Sequence, residues 1–167
     1  MSRLRAGEWT AAAGAAGLLV ALFLPWFGIE FPGTAGNLVD TGLVEESGTS
    51  GWSTLGWVTI ALVLAAIGCA AWLAVGTAVA RPVAQLVAAG VLTATAGTLA
   101  LFALTLRTLL FQPGPNEFVA MRYGAWLGLL AALVLAVGGW LAIKDERTGA
   151  PESAYTPPEP RPAPPAA

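Results

Sequence analysis

The chain has no histidine, one cysteine and one lysine among its 167 residues. Each scarcity removes a class of chemistry. Without histidine and with one thiol, a zinc or other transition-metal site has almost no ligands to draw on. Cys69 stands inside an apolar run, forms no disulfide within the chain, and reads as a small packing residue. Charged residues make up 11% of the sequence, against about 25% in ordinary soluble domains. No basic patch exists, so nucleic acid is not an expected partner. No Asp or Glu lies within the spans proposed below, which leaves no paired acids for proton transfer inside them. Ser47, Ser50 and Ser53 lack a recognisable base, and Glu30, Asp40, Glu45 and Glu46 lack the spacing of a calcium loop. The reading is therefore non-enzymatic, with no catalytic residue, cofactor or metal expected.

Apolar residues are present in excess: 56% of the chain, with a mean hydropathy of +0.70. They form four runs, at about 9–27, 52–79, 83–110 and 123–143. Each reaches the ~18–20 residues that cross a bilayer as a helix. Tryptophans bracket three of them: Trp9 and Trp26, Trp57 and Trp72, Trp126 and Trp140. At helical rise these pairs lie roughly 21 to 26 Å apart, which suits an aromatic belt at each membrane interface. Ala80-Arg81-Pro82 is the short link between runs two and three, so these form an antiparallel hairpin. The first run follows Arg3 and Arg5 but is longer than the apolar core of a signal peptide, and reads as a retained span.

Basic residues set the orientation. Arg3, Arg5, Arg81, Lys144 and Arg147 fall on one side, and the long first loop on the other side carries acids and no Lys or Arg. The positive-inside rule places both termini in the cytoplasm. The expected fold is all-α: a four-helix transmembrane bundle over residues 1–148, with room for a short β segment in the first outward loop. Residues 149–167 hold seven of the twelve prolines and read as a disordered, extended cytoplasmic tail.

Small residues mark the helix contacts, since lipid-embedded helices associate by close packing. Gly124, Gly128, Ala132 and Ala136 form one row on span four, opening with GxxxG. That row serves either packing within the bundle or a homodimer or partner-helix face. Span one offers Ala13 and Gly17, and span three offers Ala89, Thr93 and Gly97. Span three also carries Thr95, Thr98 and Thr105 at helical spacing, which suits either an interior helix or a weakly polar solute path. Arg107 and Arg122 lie at the outer helix ends with Glu117 between them. They act as interfacial anchors or as an outward anion or lipid-headgroup site. Trp26 and Trp52 complete the candidate interaction residues. The tail's PxxP spacings, Pro157 to Pro160 and Pro162 to Pro165, offer a docking segment to a cytosolic partner.

Several segments together carry a resemblance. Leu24-Pro25-Trp26-Phe27 closes span one, Ser50-Gly51-Trp52 opens span two, and Arg122-Tyr123-Gly124-Ala125-Trp126-Leu127-Gly128-Leu129-Leu130 opens span four. Val137-Gly138-Gly139-Trp140-Leu141-Ala142 closes span four ahead of Lys144-Asp145-Glu146. From Trp9 to Arg147 the chain resembles small four-span membrane proteins of high-GC Gram-positive bacteria that have no assigned function. Members of that group carry Glu-Ala-Phe after Ser-Gly-Trp and an Asp early in span two. This chain has Ser53-Thr54-Leu55 and Val58-Thr59-Ile60 there. The resemblance implies the topology and a cell-membrane location, and no activity. Claudin-like proteins share the four-span plan, but their loop cysteine pair is absent here.

These readings converge on an interaction or accessory subunit of the cell envelope. The alternatives are a minimal oligomeric transporter or channel, or a lipid- or anion-sensing membrane protein.

Overall fold

A computed structural model describes residues 5–29, 48–79, 83–111 and 119–148. Glu117, the first-loop acids, the Arg81 link and the proline tail lie outside the described residues. In chain order the elements are helix α1 (Ala6–Ala21), strand β1 (Pro25–Ile29), strand β2 (Thr49–Ser50), the single turn α2 (Gly51–Thr54), α3 (Trp57–Ala78), α4 (Val83–Thr105) with a π-helical turn (Leu106–Leu110), strand β3 (Val119–Met121) and α5 (Tyr123–Thr148).

Among the described residues three helical stretches are long and apolar enough to cross a membrane: Trp57–Ala78, Gln85–Leu110 and Tyr123–Lys144. The first run differs from its sequence expectation. Its helix has 16 residues and stops at Ala21, well short of Phe27. Pro25 is the reason. The residue before a proline is pushed out of the helical region, so the chain tightens through Phe23 N–H to Val20 O (3.0 Å) and Leu24 N–H to Ala21 O (3.1 Å), then extends. The second run is also broken. Its first turn is α2, and Leu55 and Gly56 leave the helix with extended backbones before α3 starts.

The extended segments make a three-stranded antiparallel sheet in the order β2-β1-β3. Phe27 pairs with Met121, Gly28 with Ala120 and Ile29 with Val119. On the other edge Pro25 pairs with Ser50 and Phe27 with Thr49. β2 falls in the first outward loop, where the sequence left room for a short β segment, β1 takes up the end of the expected first span, and β3 comes from the second loop, where the sequence reading missed it. Arg122 N–H to Trp26 O (2.9 Å) carries the pairing up to the start of α5.

Below this sheet α1 packs against α5 and α3, and α4 packs against α5 and α3, so the helices stand as a square with α1 opposite α4. The main core includes Leu18, Leu22, Trp26, Val63, Leu104 and Leu135, and Leu73, Ala89 and Ala142 form a smaller cluster toward the far end. The seams use glycine. A Cβ on Gly7 would strike the backbone of Ala142, one on Gly14 the backbone of Leu135, and one on Gly138 the backbone of Ala11. Between α4 and α5, Gly139 sits 2.6 Å from Ala94 N by the same measure and Gly97 3.1 Å from Ala136 Cα. Backbone approach this close is the packing mode expected where lipid replaces water. On α1 the inward row is Ala11, Gly14, Ala15 and Leu18, one step round from the expected Ala13 and Gly17. Ala13 and Gly17 instead face an outer groove.

Candidate functional site

The sheet end of the bundle gathers most of the sequence-selected residues. Trp26 lies at its centre. Its side chain is fully buried, which corrects its expected place in an aromatic belt. β1 turns it inward, and its indole N–H donates to Ala21 O at 2.6 Å. That carbonyl, at the end of α1, also accepts the Leu24 N–H, so the indole adds a second bond where the helix closes.

Gly128 and Gly51 form the walls around the indole. A Cβ on Gly128 would lie 2.5 Å from Trp26 Cζ2, and one on Gly51 would lie 2.8 Å from Trp26 Nε1. Gly124 faces the carbonyl of Pro25, and Ala132 is buried one turn further along. The GxxxG row of α5 is thus filled by residues of its own chain. On the other side of α5, Trp126, Leu130, Leu133, Val137 and Trp140 are exposed. Trp52 is partly exposed and meets Phe23 edge-to-face, with ring centroids 5.7 Å apart.

The two arginines sit in different surroundings. Arg107 belongs to the π-helical turn, where Phe111 N–H reaches back to Leu106 O at 2.9 Å. Its guanidinium donates from Nη1 to Phe111 O (2.6 Å) and from Nη2 to Thr54 O (3.0 Å). Nε is buried and has no hydrogen-bond partner. A cation at the carbonyl end of a helix is favourably placed, and here it also ties α4 to α2. Arg122 lies over Gly28, whose missing side chain leaves the room: a Cβ there would be 2.5 Å from Arg122 Nε. Arg122, Tyr123, Pro25 and Gly48 line a recess of about 150 Å³. Glu117, expected to pair with either Arg107 or Arg122, is outside the described residues.

The threonines of α4 and its π-helical turn point their hydroxyl protons back along the helix, and Thr98 Oγ1 also accepts the Trp140 indole N–H from α5 at 3.4 Å. Thr93, Thr95, Thr98, Thr105 and Thr108 each donate to the carbonyl four residues earlier, at 2.7–2.9 Å. Thr95 and Thr98 are exposed, so the expected row supplies no inward line of hydroxyls. Nor is α4 the interior helix: 33% of its span is buried, against 44% for α5.

Sequence reading missed Glu8. It is 7% exposed at the far end of α1. Oε2 accepts the Arg5 backbone N–H at 2.6 Å, and Oε1 accepts the Thr77 hydroxyl at 3.1 Å. The available signal was its position three residues after Arg5 at a helix start, where an acid caps the first turn. Nothing local to the sequence names Thr77, 69 residues away.

A groove of about 470 Å³ runs between α1 and α5. Ala13, Gly17, Val20, Leu24, Leu127 and Leu130 line it, all apolar. Among the described residues no group of three or more His, Cys, Asp or Glu is placed to hold a metal ion.

Long apolar helices, close glycine seams and tryptophans exposed near the ends of α3 and α5 define a protein of the membrane-embedded helical class. Set against protein-family models, curated proteins and solved structures, the chain matches none of them.

Proposed function

We propose that the chain is a four-span cell-membrane protein acting as a non-enzymatic accessory subunit, related to the small four-span proteins it resembles. The sheet end faces outward, and both termini lie in the cytoplasm. On this reading α1 is the fourth span. Its 16 residues cover about 24 Å at helical rise. The turn and strand that follow supply the remaining depth, with the sheet at the outer interface.

The observation that carries the reading is the exposed apolar surface of α3 and α5. Trp57 (82% exposed) and Trp126 mark the sheet end, and Trp72 and Trp140 lie toward the far end, with Leu64, Leu130, Leu133 and Val137 between. Such a surface suits lipid and partner helices. The proline tail adds a second, cytosolic docking segment. Crosslinked recovery from native membranes tests this, comparing the full chain with one stopped after Thr148. A complex of fixed stoichiometry from either form supports the accessory reading, and its loss on truncation assigns the contact to the tail. A lone monomer from both forms overturns the reading.

A further inference from the structure

Three of the four long helices are locked together at the backbone. α1 meets α5 through Gly7, Gly14 and Gly138, and α5 meets α4 through Gly139 and Gly97. α3 is attached differently. Val63, Ala66, Ala70, Leu73 and, near its far end, Gly76 turn inward, while Gly68 in mid-helix lies on the exposed face with nothing within 4 Å of its Cβ position. Gly56, where α3 begins, is equally open. Only 22% of α3's span is buried, half the share of α5.

Polar contacts hold α3 at both ends. At the far end the Thr77 hydroxyl reaches Glu8 of α1 (3.1 Å). At the sheet end Arg107 of the π turn reaches Thr54 O (3.0 Å), two residues before the Gly56 that opens α3. Thr77 Oγ1 is also 2.9 Å from Leu73 O. Its single proton serves either the carboxylate of Glu8 or its own helix, so this bond can be given up without stranding the hydroxyl.

We infer that α3, with α2, is a moving element held against a rigid α1–α5–α4 frame by two clasps, Glu8–Thr77 and Arg107–Thr54. Opening them lets α3 swing while the glycine seams stay closed. The inference is independent of the accessory reading, since it concerns motion within one chain.

Spin-label distance measurements on the full chain in lipid nanodiscs test it, with Cys69→Ala as background. One label pair joins α3 to α5 (Leu64→Cys with Leu133→Cys). A second joins α1 to α5 (Leu19→Cys with Leu133→Cys). These three positions are exposed. The α3–α5 distribution is expected to be broader than the α1–α5 one in the otherwise native chain. A hydrogen bond of ordinary net strength corresponds to about a five-fold change in an opening equilibrium. Thr77→Val is therefore expected to raise the open α3–α5 population about that much, and Thr77→Val with Arg107→Met further, with α1–α5 unchanged. Equal widths for the two pairs in the native chain overturn the inference, whatever the variants do. So does a response to Thr77→Val in which α3–α5 stays fixed, or in which both pairs broaden together.

Discussion

The α1–α5 seam and the α3 helix solve the same problem in opposite ways. In the seam, glycines let one backbone lie on another: Gly14 on Leu135, Gly138 on Ala11, Gly7 on Ala142. Around α3 the inward positions are mostly filled by side chains, Val63, Ala66, Ala70 and Leu73, with Gly76 buried near the far end, and Gly68 faces open space. The same residue type is thus a structural requirement in the seam and a small cost at position 68. Composition does not distinguish them, because the difference lies in what stands opposite each Cα.

The largest expected effect comes from filling the seam. Gly138→Val and Gly14→Val each put a side chain into a facing backbone, which cannot rotate away. Loss of folded protein is expected from either, read as aggregation on detergent extraction. If either variant extracts as a monodisperse species with native thermal stability, the seam is not as close as described.

Next is the Trp26 pocket. Gly128→Ala places a methyl group against the indole, and overpacking of this kind costs about 1–3 kcal/mol. Trp26→Phe opens space but removes the hydrogen bond to Ala21 O. The double variant is expected to lose less than the sum of the single losses, because the smaller ring makes room for the methyl. Strict additivity in thermal denaturation would place Gly128 and Trp26 apart.

A smaller effect is expected at Gly28. Gly28→Ala pushes on the Arg122 side chain, a flexible group that can shift. A modest drop in thermal stability should follow, relieved by Arg122→Ala in the same chain. The smallest effect, and one of opposite sign, is expected at Gly68. Alanine there meets no atom and removes the entropic cost of glycine in a helix, worth roughly 0.5–1 kcal/mol. Equal damage from Gly68→Ala and Gly138→Ala would erase the comparison.

Much of the frame was legible along the chain. The length of the apolar runs forces helices wherever the backbone must satisfy its own hydrogen bonds, and this gave α4 and α5 to within a few residues at most ends. The row from Gly124 to Ala136 was legible too, because small residues at four-residue spacing share one helix face. What the row faces was not: it is Trp26 and Pro25 of the same chain. The end of α1 was misjudged because Leu24-Pro25-Trp26-Phe27 reads as apolar whether it is helix or strand. β3 escaped notice because Val119-Ala120-Met121 is too short to show a period.

The sequence by itself determined the class of the protein: a charge-poor chain without histidine, carrying apolar helices of membrane length and one row of small residues ready for close contact. Those properties are local, set by hydrophobicity and by which side chains share a helix face. Only the tertiary structure decided that Trp26 is core rather than belt, that Glu8 is buried beside Thr77, that Arg107 reaches Thr54, and that α3 is the least buried of the three long apolar helices. Each of these depends on a partner distant in sequence, and the identity of that partner is fixed by how the helices are arranged around one another.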